Sequence, residues 1–155
     1  MSEALSEGLD KLEKLRQESF RSMVETARLR SFGLFAGLEE EELAEIARHC
    51  DQIHVPSGTI IILQGQVGKD VYLLEAGSVG VYHGEPDPSH FIAVLQAPTL
   101  IGERALVDPE RIRTASVKAL TDLVLLPVPI DSFLSFVRRY PPLREKLRQL
   151  IAERR

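Results

Sequence analysis

Apolar residues near the start of the chain recur at spacings of three to five positions, with Glu and Lys between them. They are Leu5, Leu9, Leu12, Leu15, Phe20, Met23, Val24 and Ala27. This spacing predicts an amphipathic helix over residues 3–30, because such positions share one face of an α-helix. Two glycines in SFGLFAGL (31–38) then interrupt the pattern. The segment EEEELAEIARHC (39–50) predicts a second helix, whose leading acids suit the positive helix N-terminus.

From residue 51 to residue 128 the pattern changes to short β-branched runs separated by turn residues. The predicted strands are QIHV (52–55), TIIIL (59–63), DVYLLE (70–75), SVGVYH (78–83), FIAVLQ (91–96), RTASVKA (113–119) and DLVLLPV (122–128). Glycines 58, 65, 68 and 77 are interpreted as turn formers between them. Seven or eight short strands at about ten-residue spacing predict an antiparallel sandwich or barrel rather than a parallel sheet.

Residues 130–155 return to a helical pattern, broken by two prolines at positions 141–142. The last helix has Leu143, Leu147, Leu150 and Ile151 on one face. We therefore divide the chain into an N-terminal amphipathic segment (1–30) and one domain (31–155) that contains the β region and the C-terminal helices. We expect the first helix to pack on its own domain. Dimerisation through the N-terminal or C-terminal helices is the alternative.

Composition and charge narrow the class of protein. The chain has 155 residues and a single cysteine, so a disulfide framework and a four-cysteine zinc site are excluded. The first twenty residues carry acids and lack the apolar core of a signal peptide, and no apolar run of about 18 residues occurs. A cytoplasmic protein without membrane contact is the expectation.

The net charge of −4 is unevenly distributed. Residues 1–137 hold 12 Lys and Arg against 21 Asp and Glu, a net charge of −9, and residues 138–155 carry a net charge of +5. An acidic body repels polyanions, so we expect no direct nucleic-acid binding. The basic tail is interpreted as a helix ending in favourable arginines.

The segment PTLIGERALVDPERIRTASVKA (98–119) carries the candidate chemistry. Gly102 lets the backbone approach a ligand closely, and the amides after it begin a short helical turn that suits a phosphate. Arg113 opens the next predicted strand, and its planar fork matches a phosphodiester. Thr114 and Ser116 add hydroxyls on what would be one strand face. Glu103 is repelled by a phosphate, so a ribose hydroxyl is its natural donor.

GERAL, a short spacer and RTASV resemble the phosphate-binding cassette of the cyclic-nucleotide-binding domain family. That family includes kinase regulatory subunits, cyclic-nucleotide-gated channels and catabolite-activator transcription factors. The resemblance covers roughly residues 32–150 and includes LFAGL, VPSGTIIILQGQVGKDVYLLEAGSVGVY (55–82) and YPPL (140–143). It implies a mainly β fold, an antiparallel jelly-roll barrel flanked by N-terminal helices and C-terminal lid helices. The sequence departs from the family pattern at Ile112, where Pro is common, and at Pro98, where Gly is expected.

The resemblance also implies roles for individual residues. Backbone amides of Gly102 and Ala105 would donate to the cyclic phosphate, Glu103 would contact the ribose 2′-hydroxyl, Arg113 would pair with the phosphate, and Thr114 would add a polar contact. The other candidate ligand-binding residues are Arg104, Ala115 and Ser116. The terminal helix would cover the base, with Leu147, Leu150, Ile151 and Arg154 as candidates.

The resulting hypothesis is a regulatory module that binds a cyclic nucleotide and moves its terminal helices in response. The ligand would be cAMP, with cGMP as the alternative, and the effector protein is not specified by the sequence. We expect no enzymatic activity, no cofactor and no metal, because the four histidines lack metal-site spacing. Two alternatives stay open. One is the effector half of a catabolite-activator-type regulator, and the other is a non-binding interaction domain. A purely structural interpretation of Glu103 and Arg113 is a buried ion pair between them.

Overall fold

The computed structural model describes residues 3–18 and 24–154. Its helices are α1 (Glu3–Glu18), α2 (Thr26–Leu29), α3 (Glu40–Arg48), α4 (Ile130–Arg139) and α5 (Pro141–Glu153). Its strands are β1 (Ile53–Val55), β2 (Ile60–Ile62), β3 (Asp70–Ala76), β4 (Ser78–Tyr82), β5 (Phe91–Gln96), β6 (Thr99–Ile101), β7 (Ser116–Ala119) and β8 (Leu123–Pro129). Short 3₁₀ turns lie at Gly33–Phe35, Pro88–His90 and Glu103–Leu106.

The strands form two four-stranded antiparallel sheets. One has the order β1-β8-β3-β6 and the other the order β2-β7-β4-β5. In the first sheet, Leu73 of β3 lies opposite both Leu126 of β8 and Leu100 of β6. The prediction of an antiparallel β fold with helices on both sides of the β region is therefore confirmed.

Strand β3 separates two hydrophobic cores, because its successive side chains point to opposite faces. Val71 and Leu73 lie in the core between this sheet and the helices, together with Phe133 and Phe136 of α4. Tyr72 and Leu74 lie in the core between the two sheets. Burial on both faces explains why DVYLLE is an almost unbroken apolar run instead of an alternating one.

The prediction of one helix over residues 3–30 is wrong in its continuity. Helix α1 ends at Glu18, and α2 is a separate turn that begins after an extended Glu25 (φ −71°, ψ 141°). Val24 is buried in the helix-side core, which fixes the chain just before α2. Phe20 and Met23, two of the predicted apolar positions, lie outside the described residues.

The predicted strand RTASVKA also begins later than expected, at Ser116. The Arg113 N–H donates to the Gln66 carbonyl at 2.8 Å, and the Gly65 N–H donates to the Arg113 carbonyl at 2.9 Å. Arg113 therefore pairs with the turn at residues 64–68 and lies outside the regular ladder of β7. This difference decides where the side chains of residues 113–116 point.

Helix α1 packs on the barrel, as expected for self-packing. Leu12 belongs to the core between the sheets. Gly8 lies so close to β2 that a β-carbon there would come within 2.9 Å of the Ile60 Cδ1 atom. Whether a second copy of the chain also contacts the helices stays a prediction. Within the described ranges, none of the helices is long and apolar enough to cross a membrane.

Truncation of the helix-side core should cost more than truncation at the surface. Phe133 is fully buried and Phe91 is 49% exposed. Phe133→Ala should lower the free energy of unfolding by about 3–5 kcal/mol, since it leaves a cavity. Phe91→Ala, the matched control, should lower it by about 1 kcal/mol through loss of its contact with Tyr82. Urea denaturation followed by circular dichroism measures both, and equal losses would contradict this assignment of the core.

Candidate ligand-binding site

A cavity of about 550 Å³ opens between the turn after β6 and the second sheet. The turn contributes Gly102, Glu103, Arg104 and Ala105 to its lining. The segment before β7 contributes Arg113, Thr114 and Ala115. The sequence analysis had assigned all seven to a ligand site, and the fold brings them to one place.

Two glycines leave room for the Arg113 side chain. Gly102 has a left-handed backbone (φ 86°), and a β-carbon there would come within 2.8 Å of Arg113 Nη1. A β-carbon at Gly68 would lie 2.7 Å from Arg113 Cζ. Gly68 was interpreted from the sequence as a turn former alone, and the structure gives it this second role. Ala105, a predicted amide donor, has its N–H 3.3 Å from the Gly102 carbonyl here.

Arg113 is a buried cation held mainly by backbone oxygens. Its Nη2 donates to the Asp70 carbonyl at 2.6 Å, and its Nη1 donates a longer bond of 3.4 Å to the Gly102 carbonyl. Its Cζ lies 5.9 Å from the centre of the Tyr72 ring. Among the described residues, no carboxylate lies within ion-pair distance of it.

Burial lowers the pKa of the Arg113 guanidinium, and the nearby Tyr72, Asp70 and Glu103 raise it and so oppose that effect. A buried charge is expensive unless it is paired. Arg113 thus lines the cavity with a positive charge that no ion pair neutralises among the described residues, and a bound anion would neutralise it.

Glu103 pairs with the end of the terminal helix instead of with Arg113. Its Oε2 accepts from Arg154 Nη1 at 2.9 Å, and both side chains are largely buried. Arg154 also donates to the Leu100 carbonyl and to Thr99 Oγ1, each at 2.6 Å, while Arg104 donates to the Arg154 carbonyl at 3.0 Å. The alternative of a buried Glu103–Arg113 ion pair is therefore wrong for this structure.

Ser116 is the candidate that the structure places away from the cavity lining. Its hydroxyl accepts from the Gln64 N–H at 3.0 Å and donates to the Gly84 carbonyl. Ser116 and Thr114 would share a face, as predicted from the sequence, only if both residues lay in one regular strand. Because β7 begins at Ser116, the alternation does not extend back to Thr114.

The four candidates on α5 and directly after it separate into two groups. Arg154 lines the cavity, and so does Glu153, which the sequence analysis did not select. Leu147 is buried in the helix-side core, and Leu150 and Ile151 pack against the same core. Their apolar stripe is already occupied, so a role for these three residues over a base requires α5 to move and stays a prediction.

The cavity also has an aliphatic wall, formed by strands to which the sequence assigned no role in the site. Val81 of β4 and Ile92, Ala93 and Leu95 of β5 line it. Ile62 and Val117 complete the apolar surface. Alternation in SVGVYH and FIAVLQ could have indicated an inward face, but the sequence does not show which face borders a cavity. The lining of the cavity thus combines polar residues of the 102–105 turn and the 113–115 segment with aliphatic side chains of the second sheet.

Comparison with known proteins agrees with this geometry. The family model described as "Cyclic nucleotide-binding domain" matches residues 52–140. This chain belongs to the cyclic nucleotide-binding domain family. The cyclic AMP receptor protein of Thermus thermophilus is 32% identical over 122 residues, a match that covers 78% of this chain and 56% of that protein.

Solved structures of the family share the fold. The catabolite activator protein of Thermus thermophilus superimposes with a TM-score of 0.66 at 32% identity, covering 78% of this chain and 57% of that chain. The regulatory domain of Toxoplasma gondii PKA, solved with cAMP, gives a TM-score of 0.67 at 24% identity, covering 94% of this chain and 51% of that chain. The jelly-roll architecture is therefore confirmed. This cyclic nucleotide-binding domain spans about half the length of the curated relatives it matches.

If Arg113 binds a ligand and is not needed for folding, removing its charge should change the free energy of unfolding of the ligand-free protein only slightly. Arg113→Met should leave the free energy of unfolding within about 1 kcal/mol of wild type, because a buried cation without a carboxylate partner adds little stability. Arg28→Met is the matched control, since Arg28 makes two bonds to Glu75 at 2.6 and 2.7 Å. It should cost about 1–2 kcal/mol.

Denaturant unfolding of the two variants measures the difference. A loss of more than about 3 kcal/mol for Arg113→Met would show that the guanidinium is needed by the fold itself.

Proposed function

We propose that this chain is a sensor module that binds a cyclic nucleotide, with cAMP preferred, in the cavity beside the 102–106 turn. The observation that carries the proposal is the buried Arg113 guanidinium, which borders the cavity without a carboxylate partner among the described residues. A cyclic phosphodiester carries one negative charge and two exocyclic oxygens. It matches a single arginine in charge, and its oxygens match the planar fork in shape.

Glu103 gives the pocket a second polar feature. A carboxylate accepts several hydrogen bonds through its two oxygens, and the Arg154 bond occupies Oε2. A ribose 2′-hydroxyl can therefore donate to Glu103 while Arg154 stays in place. This supports the assignment of Glu103 to the sugar and of Arg113 to the phosphate.

The aliphatic wall formed by Val81, Ile92 and Leu95 is the place for the base. Apolar contact accepts a purine ring without demanding a particular hydrogen-bond pattern. Thr114 lines the cavity and follows Arg113 directly in the sequence. Its hydroxyl can form a hydrogen bond with a guanine base. We propose cAMP as the preferred ligand and cGMP as the weaker one, and we propose that Thr114 influences the preference between them.

Occupancy would be transmitted through α5. Arg154, one residue after that helix, bonds to Thr99, Leu100 and Glu103, so the helix end and the cassette share contacts. A ligand that touches Glu103 changes the energy of these bonds. The ligand can move α5 only to the extent that it binds more tightly to one of two arrangements, one with the Arg154 bonds formed and one with them broken. The effector that reads this movement is a protein we do not identify.

The same proposal includes a regulatory rather than a catalytic role and a cytoplasmic location. The second candidate is the effector half of a longer regulator of the catabolite-activator type. It is favoured by the likeness to the receptor and activator proteins of Thermus thermophilus, about half of whose length this chain covers. Both candidates use the same pocket.

Calorimetric titration with cAMP and with cGMP tests the proposal. Wild type should bind both, cAMP more tightly. Arg113→Gln should cost about 2–5 kcal/mol of binding free energy, a loss of tens- to thousands-fold in affinity, because the phosphate loses a desolvated charged partner.

The matched control is Arg139→Gln, which removes an arginine that pairs with Glu45 at 2.6 Å on the helical side of the domain. Its affinity should equal that of wild type. Wild-type protein that shows no heat and no thermal shift with millimolar cAMP or cGMP would indicate the non-binding alternative.

The sugar assignment has its own test. Wild type should bind 2′-deoxy-cAMP about tenfold more weakly than cAMP, because Glu103 then loses one charge-assisted hydrogen bond. In Glu103→Ala, affinity for the two nucleotides should become equal. Competition against a fluorescent cAMP analogue gives both ratios. Unchanged discrimination in Glu103→Ala would remove the carboxylate from the ribose.

A further inference from the structure

The N-terminal helix reaches the phosphate end of the pocket through one ion-pair chain. Arg16 of α1 places Nη1 3.1 Å from Asp51 Oδ2 and Nη2 3.3 Å from Asp70 Oδ1. Asp70 in turn accepts from Arg113 through its backbone carbonyl at 2.6 Å. One aspartate therefore contacts two arginines through different oxygens: its carboxylate faces Arg16 and its carbonyl faces Arg113.

This division matters because Asp70 is buried, with 9% of its surface exposed. Burial raises the pKa of its carboxyl group, and the two arginines lower it. The carboxylate needs a cation nearby, and Arg16 and Arg113 are the two that favour its charged form. As long as Arg16 supplies that charge, Arg113 has no need to turn toward Asp70.

We infer that Arg16 is a positioning residue for the ligand site: by neutralising Asp70, it keeps the Arg113 guanidinium available to the ligand phosphate. The inference rests on the proposed function and adds a residue outside the matched segment 52–140. Without Arg16, the Asp70 carboxylate competes with the phosphate for the same guanidinium. The helix α1 then takes part in ligand affinity although Arg16 is not among the residues that line the pocket.

The geometry favours this role over simple anchoring of α1. The helix is already attached to the barrel by Leu12 in the core between the sheets and by Gly8 against Ile60. Arg16 is partly buried, with Asp70 approaching it from β3 and Asp51 from the segment before β1. An arginine that only attached a surface helix would not need to pair with Asp70, the residue whose backbone carbonyl accepts from Arg113.

The experiment is a double-mutant cycle on cAMP affinity, measured by calorimetry on the full chain. Arg16→Gln should weaken binding about tenfold, within the range of coupling energies for residues that share one network. Adding Arg16→Gln to Asp70→Asn should cause no further loss of affinity. Asparagine keeps the backbone carbonyl that accepts from Arg113, but its side chain lacks the competing negative charge.

Two other variants separate positioning from damage to the fold. Arg16→Lys keeps the positive charge and should stay within about threefold of wild type. Arg28→Gln breaks a comparable bond between another N-terminal helix and β3, at Glu75, and should bind like wild type. Unfolding curves of all variants show whether lost affinity comes from lost folded protein.

The outcomes are distinct. Wild-type affinity in Arg16→Gln, or the same loss with and without Asp70→Asn, overturns the inference and leaves the proposed function intact. An equal loss in Arg28→Gln also overturns it, because attachment of the N-terminal helices would then be the cause. A wild-type chain that binds no cyclic nucleotide overturns both the proposed function and the inference.

Discussion

The proposed ligand site depends on one electrostatic constraint, the burial of the Arg113 guanidinium without a carboxylate partner among the described residues. A positive charge in that position has a desolvation cost that two backbone carbonyls offset only in part. The surrounding residues keep this charge in place without neutralising it. Gly68 and Gly102 leave it space, Tyr72 lies near its face, and both nearby acids have other cations as partners.

That separation of charges connects the site to both ends of the chain. Glu103 is paired with Arg154 just after α5, and Asp70 is paired with Arg16 in α1. Each acid lies close enough to Arg113 to raise its pKa, and neither forms an ion pair with it. In the proposed mechanism, a ligand that neutralises Arg113 alters the field at both acids, whose partners lie in or beside helices that are far apart in sequence.

Much of the fold could be predicted from local pattern, since period-two runs between turn residues correspond to real strands. Residues 113–115 show where this reasoning fails. The pattern of RTASVKA predicts a strand, but the backbone of Arg113 pairs with the turn at 64–68, a contact between segments far apart in sequence. The same limit explains the errors on side chains. The place of Ile92 in the cavity lining and the bonds of the buried Ser116 hydroxyl to Gln64 and Gly84 depend on which sheet packs against which, and no local spacing encodes that.

Helix α5 is held to the domain by apolar burial along its length and by polar bonds just after its end. Leu143 and Leu147 are buried in the helix-side core, so the first part of the helix is held by the same apolar surface that covers β3 and β8. Leu150 and Ile151 pack against the same core, whereas Arg154, one residue after the helix, is held by polar bonds to Thr99, Leu100 and Glu103. Polar bonds exchange with ligand or water at low net cost, whereas apolar burial does not. The proposed response to a bound nucleotide therefore involves the polar bonds of Arg154, which can change while the apolar face of α5 stays buried.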